Sequence, residues 1–435
     1  MTGLLSPERT RVPTAPGRLP GLGHLWSLLR RPIPFLTEAS ALGPVVRMYF
    51  WRKPVYYLTT PEAVHQLLVT EAKHFEKGFV FDKARALLGN GLFTSEGAFH
   101  LSQRRLVQPA FAKEPGRAYG LMSGQHAERT VPDWPAGELL DVSPRLHELT
   151  QDIALEALFS TRLDERARQR VHAALPVVLE GFIVRALYPA EFVERLPLRI
   201  NREFDRAVAD LHEVVEHFVA ECTRNPLPEG SLLSVLGAGG GGCPVQVRDE
   251  AVSMLLAGTE TAATTLAWAL WQLAEHPELQ ERVRAELAGA QDNWHVAGEF
   301  PLTTAVLNET MRLHTPNWLL MRRATGPVVL DGVALPAGAE IVFSPTVLHR
   351  TADCYPDPMT FNPARWTGQI PRKAFIPFGG GVRKCVGDSF AEAEMRAVLA
   401  SVLGRWRVLP GRAPVPDAST ATLQPKGLRV VLAPV

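Results

Sequence analysis

The sequence predicts a mainly α-helical protein (class α+β) with small β-sheets near both ends of the chain. Helical hydrophobic periodicity recurs through the middle of the chain, and two stretches, 45–60 and 328–343, alternate like β-hairpins. Hydrophobic residues make up 46% of the 435 residues, which is enough to bury a large core. We therefore expect a single domain over residues 1–435.

The elements follow in order from the amino terminus. Residues 1–30 form a Pro/Gly-rich arm, and "VVRMYFWRKPVYYLTT" (45–60) predicts a hairpin with its turn near Lys53 and Pro54. "LGAGGGGCPVQ" (236–246) is a flexible linker. "VVLDGVALPAGAEIVF" (328–343) predicts a second hairpin, with an Asp-Gly turn. The predicted helices span 61–70, 100–111, 143–160, 164–186, 202–224, a long apolar stretch from about 249, 276–289, 302–314 and 388–404.

Composition excludes several classes of function. Lys plus Arg is 46 and Asp plus Glu is 45, so a net charge of +1 gives no global case for a nucleic-acid partner. The four cysteines are far apart and form no CxxC motif, which disfavours a zinc site and a disulfide framework. The amino terminus has no long apolar region, so we expect no signal peptide or membrane anchor, and a monomeric cytoplasmic protein.

One thiol, Cys385, lies in "FIPFGGGVRKCVGDSFAEAEM" (375–395), between a glycine run and the start of a predicted helix. Asp388 can be the N-cap or a first-turn acid of that helix. Free N–H groups and the helix dipole at such an end stabilise a thiolate, and Arg383 and Lys384 act in the same direction. The glycines let the backbone approach a flat or bulky group closely.

Three explanations of this thiol are open. A nucleophilic cysteine would need a histidine base, and no hydrolase signature is present; a buried structural cysteine would not need the glycines. A thiolate ligand of haem iron explains all the parts. Phe378-x-x-Gly381-x-Arg383-x-Cys385-x-Gly387 resembles the haem-binding signature of the cytochrome P-450 monooxygenases at every fixed position. The resemblance implies haem b (iron protoporphyrin IX) with Cys385 as axial ligand of the iron, and implies a mostly helical triangular prism with a small β-rich region.

The long apolar stretch from Ala251 contains Glu260, which argues against a membrane span and for a buried core helix. Ala257 and Gly258 make a small-residue gap beside the acid–alcohol pair of Glu260 and Thr261. This pattern resembles the oxygen-binding helix of the family. The resemblance implies that the pair relays protons during catalysis and that Ala257 contacts the haem. The alternative is a buried acid without a catalytic role.

Two further motifs match the family in order and spacing. Glu309 and Arg312 of "LNETMRLHTP" share one helix face at i, i+3, and "FNPARW" supplies Arg365. The resemblance implies that these three form a buried ion network that fixes the cysteine loop and has no chemical role.

Three residues are expected to hold the haem propionates in addition to Arg383. "HLSQRRLVQPAF" resembles a family helix and carries Arg104, with His100 where a tryptophan is usual. An imidazole can still donate a hydrogen bond, although a partly exposed surface histidine is the alternative. Arg322 of "NWLLMRRA" is the third, and Arg323 beside it is an alternative.

The substrate is expected to be apolar and compact. By analogy with the family, "GFVFDKARALLGN", "LEGFIV", "SMLLAGTET", "NWLL" and "TATL" line the distal pocket, although many of their residues would suit an ordinary core equally well. Several stretches, "INREFDRAVADLHEVV" among them, resemble actinobacterial members that oxidise terpenes in secondary metabolism. The candidate contacts, besides Ala257, are Phe79, Phe81, Leu87, Leu88, Phe182, Ile183, Leu256, Trp318, Leu319 and Leu320.

The implied reaction inserts one oxygen atom of dioxygen into a C–H bond. The chain is too short to include a flavin reductase, so electrons would come from a ferredoxin and a ferredoxin reductase. That ferredoxin would dock on a local basic patch of Lys384, Arg105, Arg372 and Lys373. Alternatives are a haem-thiolate enzyme for desaturation, C–C coupling or peroxide-dependent oxidation, a non-catalytic haem sensor, and a haem-free cysteine hydrolase.

Overall fold

The described part of the chain is mainly α-helical with small sheets, as the periodicity predicts. Residues 1–11 of the predicted arm and 236–242 of the predicted linker lie outside it. Among the described residues, no helix is both long and apolar enough to cross a membrane. The computed structural model describes residues 12–159, 164–186, 188, 191–224, 234, 243–289, 293–368, 373–417 and 422–435.

Every helix predicted from periodicity is present, with bounds shifted by a few residues. Helices α1, α2, α4, α6 and α13 were not predicted, and α1 shows that the arm becomes helical before residue 30. A π-helical turn, Gln66–Thr70, extends α3, and a 3-10 turn, Gln108–Phe111, extends α5. The helices in chain order are α1 Leu25–Arg30, α2 Pro32–Ser40, α3 Pro61–His65, α4 Phe79–Leu88, α5 Gly97–Val107, α6 Lys113–Thr130, α7 Val142–Phe159, α8 Glu165–Ala186, α9 Arg199–Arg224, α10 Pro244–Glu275, α11 Pro277–Ala288, α12 Pro301–Leu313, α13 Pro345–Leu348 and α14 Asp388–Arg405.

The described strands form four small sheets. Their orders are β1-β2-β8-β5-β3, β4-β12-β9, β6-β7 and β10-β11, and all neighbours are antiparallel except β2 and β8. The strands in chain order are β1 Val45–Phe50, β2 Lys53–Leu58, β3 Phe75–Glu76, β4 Leu139–Leu140, β5 Leu320–Ala324, β6 Val328–Leu330, β7 Val333–Leu335, β8 Glu340–Phe343, β9 Trp406–Arg412, β10 Val415–Asp417, β11 Gln424–Lys426 and β12 Arg429–Pro434.

The chain divides into two compact units. The first unit comprises Met1–Asp82, Asn317–Met359 and Pro371–Lys384. Its five-stranded sheet is covered by an apolar cluster that includes Leu58 and Phe343, both fully buried. The unit is therefore a sheet with its own core.

The second unit comprises Lys83–Pro316, Thr360–Ile370 and Cys385–Val435. Its central element is α10, which passes through two apolar clusters. Residues 251–256 share one cluster with α7, α8 and α9, and residues 262–274 share the other with α6, α11, α12 and α14. The stretch between the clusters contains the acid–alcohol pair.

The first hairpin turns two residues earlier than predicted. Phe50 pairs with Lys53, so the turn consists of Trp51 and Arg52. Trp51 has a φ of 54°, a left-handed value that the local sequence did not signal. The expected turn near Lys53 and Pro54 is wrong, because both residues already belong to β2 and pair with β1.

The second predicted hairpin is correct in its first half. Asp331 and Gly332 have φ values of 46° and 76°, which suit a type I′ turn between β6 and β7. β8 does not continue this hairpin and pairs with β2 and β5. The chain leaves the hairpin at Gly338, whose φ of 73° favours glycine.

Candidate active site

The helix α10 is buried along most of its length but is open at Ala257 and Gly258. Ala257 is exposed, although Leu256 and Thr259 on either side of this position are buried. A Cβ atom added at Gly258 would have no neighbour within 4 Å among the described residues. The small residues therefore leave open space beside the helix, as the predicted gap requires.

Thr261 lies at the edge of this opening. Its hydroxyl donates a 3.0 Å hydrogen bond to the Ala257 carbonyl oxygen, and the Thr265 hydroxyl donates in the same way to the Thr261 carbonyl at 2.9 Å. Such bonds within a helix tend to bend it. The Thr261 side chain is half-buried, so its hydroxyl can reach a molecule in the open space after a rotation about χ1.

The carboxylate of Glu260 is buried and is held by two residues from the end of the chain. Oε1 accepts hydrogen bonds from the Thr422 hydroxyl at 2.8 Å and from the Gln424 side-chain amide at 2.6 Å. Oε2 has no hydrogen-bond partner among the described residues. One oxygen of the acid is therefore fixed by two donors, and the other is buried without a donor among the described residues. The predicted pocket segment "TATL" includes Thr422, but sequence reasoning did not connect either residue with Glu260.

The glycine run before Cys385 has a geometric cause at two positions. Gly379 and Gly381 have φ values of 71° and 64°, which favour glycine. A Cβ atom at Gly381 would lie 1.8 Å from the Leu68 carbonyl oxygen. Another residue could not occupy this turn without moving the backbone.

The thiol of Cys385 is exposed in the described chain and lies three residues before α14. Gly387 is the N-cap residue, and Asp388 is the acid in the first turn, one of the two positions predicted for it. A Cβ atom at Gly387 would be 3.4 Å from the Phe111 ring, which is ordinary van der Waals contact. Phe378, earlier in the signature, is half-buried.

Arg322 and Arg323 have different surroundings. Arg323 donates to Asp82 at 2.6 Å and to Glu76 at 3.1 Å. Arg322 is buried and lines a small cavity that Arg383 also lines. Arg322 and Arg383 are thus together in the first unit, and the guanidinium of Arg323 is occupied by carboxylates.

The two residues predicted on α5 are both at least half-buried. His100 is 3% exposed, and its Nδ1 lies 3.4 Å from the Ser95 hydroxyl. The alternative of a surface histidine is therefore wrong. Arg104, one turn later on α5, is half-buried.

The predicted ion network is present and fully buried at its centre. Arg312 donates to both oxygens of Glu309 at 2.9 Å, and Arg365 Nε donates to Glu309 Oε1 at 2.9 Å. Two donors that the sequence did not reveal complete the set. They are the Trp366 indole and the Asn362 backbone N–H, each at 2.9 Å from the carboxylate.

The network determines the charge of Glu309. Burial alone would raise the pKa of this carboxyl. Hydrogen bonds from Arg312, the Asn362 N–H and Arg365 outweigh burial, so the pKa of the carboxyl lies below its ordinary value. The acid is therefore ionised at neutral pH and anchors the segment 360–366 to α12.

The predicted substrate contacts fall into two groups, one in each unit. In the second unit, Leu88, Phe182 and Leu256 belong to one apolar cluster, in which Phe182 meets Phe93 edge-on at 6.4 Å between ring centroids. The side chains of Leu87 and Ile183 lie outside the described residues. In the first unit, Phe79 lies under the Lys53 ammonium, Phe81 lies under Lys77, Trp318 is buried, and Leu319 and Leu320 are half-buried.

The residues predicted for electron-donor docking are exposed where the structure describes them. Lys373 and Lys384 are exposed in the first unit, and Arg105 is exposed in the second. Arg372 lies outside the described residues.

Comparison with known proteins identifies the family. The sequence profile of the cytochrome P-450 family matches residues 13–432. The chain belongs to the cytochrome P-450 family. It is a monooxygenase whose cofactor is a haem iron with a thiolate ligand. A sensor without turnover and a haem-free hydrolase are thereby excluded.

Three relatives of this P-450 come from Streptomyces. Cyclooctat-9-en-7-ol 5-monooxygenase of Streptomyces melanosporofaciens is 36% identical over 430 residues, covering 94% of each chain. Pentalenene oxygenase of Streptomyces avermitilis is 35% identical over 435 residues, covering 96% of each chain. Cyclooctatin synthase of Streptomyces melanosporofaciens is 36% identical over 415 residues, covering 92% of this chain and 90% of the relative. The likeness to terpene-oxidising members is confirmed.

The residues of this P-450 fit a haem-thiolate group. Such a group needs an accessible thiol, room for a flat macrocycle and cations for its two carboxylates. The exposed Cys385 thiol supplies the first, and the open side of α10 at Ala257 and Gly258 supplies space. Within the first unit, Arg322 and Arg383 line one cavity and carry positive charge.

Proposed function

We propose that this P-450 hydroxylates an apolar terpene or a similar polycyclic natural product, inserting one oxygen atom of dioxygen into a C–H bond. Similarity over nearly the whole chain to the three Streptomyces proteins carries the proposal, since the names of two specify oxygenation of pentalenene and of cyclooctat-9-en-7-ol. The apolar cluster next to the opening of α10 supports it. Leu88, Phe182 and Leu256 make the surroundings of this part of α10 apolar, which favours a substrate that is itself mostly hydrocarbon.

The cofactor in this proposal is haem b. Cys385 would bind its iron, His100, Arg104, Arg322 and Arg383 would hold its propionates, and Ala257, Phe378 and Gly387 would contact it. The separation of roles between Arg322 and Arg323 supports this assignment, because Arg323 is already paired with two carboxylates. When bound, the haem supplies oxygen activation, and the remaining steps depend on side chains of this chain.

Those side chains deliver protons. The Thr261 hydroxyl can exchange its bond to the Ala257 carbonyl for a bond to a molecule in the open space. Glu260 can pass a proton through Oε2 while Thr422 and Gln424 hold Oε1 in place. We therefore assign Glu260 and Thr261 as the catalytic pair, with Thr422 and Gln424 as positioning residues.

The electron donor in this proposal is a ferredoxin, supplied by a ferredoxin reductase. Exposed Lys384, Lys373 and Arg105 are the docking cations. Charges at the rim of an interface act mainly on association rate and are screened by salt over about 8–10 Å. Lys384→Glu with Arg105→Glu should slow reduction by ferredoxin in stopped-flow, most at low salt, and leave substrate binding unchanged. Rates that are insensitive to both mutation and salt would place the donor elsewhere.

The function is tested in two stages. Reduced protein with carbon monoxide should give the absorption band of thiolate-ligated haem, and Cys385→Ser should lose it; a variant that keeps the band would show a different ligand. Pentalenene and related cyclic terpenes should then perturb the haem spectrum and give a hydroxylated product that carries one labelled atom from labelled dioxygen. A product without the label, or one that is desaturated or coupled, would overturn hydroxylation. Turnover with peroxide alone would overturn the ferredoxin assignment.

A further inference from the structure

A short segment after α4 is bonded to the side chains of two buried acids on α10. The Asn90 backbone N–H donates to Asp249 Oδ2 at 2.7 Å, and the Leu92 backbone N–H donates to Glu250 Oε2 at 2.8 Å. Asp249 is 4% exposed and Glu250 is 1% exposed. Hydrogen bonds to a carboxylate are about twice as strong as those between neutral groups, and burial protects them from water. We call residues 89–92 the latch segment.

The sequence of the latch segment allows this close approach. A Cβ atom at Gly89 would lie 2.1 Å from Asp249 Cγ. A Cβ atom at Gly91 would lie 2.3 Å from the Asp249 carbonyl oxygen and 2.2 Å from Ser253 Oγ. Both glycines are therefore required for the backbone to reach the acids. Gly91 does not have a left-handed φ, so the close contact with α10 alone explains why this position is a glycine.

Other elements tie the same acids in place. Arg248 donates to Asp249 Oδ1 at 2.7 Å and to Glu216 of α9 at 2.6 Å. Gln246 donates to Glu250 Oε1 at 2.9 Å and to the Asn90 carbonyl at 3.3 Å. The acids thus connect α9, α10 and the latch segment.

The latch segment is also bonded to the end of α4. The Thr94 hydroxyl donates to the Gly89 carbonyl at 2.6 Å, and Arg85 of α4 donates to the Thr94 carbonyl at 2.6 Å. The end of α4 and residues 89–94 therefore form one hydrogen-bonded piece. Releasing the acids would release this piece from α10, and with it Leu88, which shares an apolar cluster with Leu256.

We propose that Asp249 and Glu250 are positioning residues that determine substrate size. They hold the latch segment against α10 and thereby fix the position of Leu88, at the end of α4, against Leu256, which directly precedes Ala257. Asp249 precedes Ala257 by about two helical turns, so the restraint acts close to the opening. The proposal rests on the proposed function, because it concerns access to the same site.

The first test is amide hydrogen exchange of the latch segment in the purified holoenzyme. Asp249→Ala should speed exchange of the Asn90 amide by about tenfold, the change that follows from loss of one bond to a charged acceptor. Gly91→Ala should do the same by steric contact without removing a charge. Asp249→Asn, whose amide oxygen can still accept the Asn90 N–H, should restore most of the protection.

A matched control comes from the other end of the same unit. Glu286 also accepts backbone N–H bonds, from Leu302 at 2.8 Å and Thr303 at 2.7 Å. Glu286→Ala removes the same kind of bond at a site away from α4 and α9. It should leave exchange of the latch segment unchanged.

The second test is ligand size selectivity, read from the haem spectrum. Asp249→Ala and Gly91→Ala should raise the association rate of 4-phenylimidazole by about tenfold relative to that of cyanide, and Glu286→Ala should leave this ratio unchanged. Faster exchange with an unchanged ratio would overturn the role in substrate size and leave a purely structural contact. Unchanged exchange would overturn the latch itself. A wild-type protein without the thiolate band would contradict the proposed function, and the exchange experiment would still decide whether the acids hold the segment.

Discussion

Removing the carboxylate of Glu309 should destabilise the protein more than any comparable surface change. The acid accepts five hydrogen bonds of 2.9 Å, two of them from Arg312, and both side chains are fully buried. Removing one member of a buried ion pair costs about 3–5 kcal/mol because the other charge loses its compensation. The total free energy of unfolding of a protein is about 5–15 kcal/mol, so this loss would be a large fraction of it. Glu309→Ala should therefore yield little haem-loaded protein, and Arg312→Ala should behave in the same way.

The assay is urea unfolding followed by circular dichroism, with haem content measured by absorbance on the same samples. A matched control is Glu38→Ala, which removes an exposed bidentate pair with Arg31 at 2.7 and 2.8 Å. An exposed pair contributes at most about 1 kcal/mol. If the free energy of unfolding of Glu309→Ala is within about 1 kcal/mol of the wild-type value and the variant keeps its haem, the argument from burial is refuted.

The same network predicts a pH dependence. The pKa of Glu309 is lowered in the folded state, so its stabilisation is complete above the unfolded-state pKa of about 4.3. The stabilisation is lost as the pH falls through the lower folded-state pKa. The difference in the free energy of unfolding between the wild type and Glu309→Ala should therefore shrink below about pH 4. A difference that stays constant would show that Glu309 is not ionised in the folded protein.

Three further predictions concern single side chains. Thr261→Ala should keep haem and substrate binding but lower product formed per NADPH by about tenfold, with peroxide released instead; unchanged coupling would leave Thr261 as a packing residue. Gln424→Leu removes one donor to Glu260 and should cause a smaller loss of coupling, about fivefold, because one hydrogen bond contributes about 1 kcal/mol; coupling equal to the wild type would remove Gln424 from the site. Burial holds the pKa of the Glu394 carboxyl well above its ordinary value. The folded state therefore keeps a proton that the unfolded state releases above about pH 4.3. Because of this difference, the free energy of unfolding falls as pH rises. Glu394→Gln should flatten this slope in urea midpoints from pH 5 to 8, and an unchanged slope would show that Glu394 is not responsible.

Sequence reasoning identified the family because its motifs are local. The cysteine signature and the pair of Glu260 and Thr261 each lie within a few residues, so their resemblance to the family is visible in the sequence. The partners of these groups come from distant parts of the chain. Thr422 is 162 residues from Glu260, and Trp366 is 57 residues from Glu309, and no local pattern encodes such contacts.

Helix α6 was not predicted for a different reason. Its sequence contains Gly120 and Gly124, which weaken a helical pattern. In the structure a Cβ atom at Gly120 would lie 3.1 Å from Trp294 Cβ, and one at Gly124 would lie 3.4 Å from the Trp294 indole nitrogen. The glycines therefore serve the packing of a tryptophan from elsewhere in the chain, and tertiary contact overrides the low propensity.

The position of residues 257–261 between two apolar clusters separates two kinds of evolutionary change. Under the proposed function, substitutions in the cluster around residues 251–256 would change the apolar surroundings of the substrate. The half of α10 that begins at Ala262 is anchored in a different core and keeps Glu260 in register with Thr422 and Gln424. If the proposed roles hold, a lineage could adopt new substrates by repacking one end of a single helix and keep its proton delivery through the other.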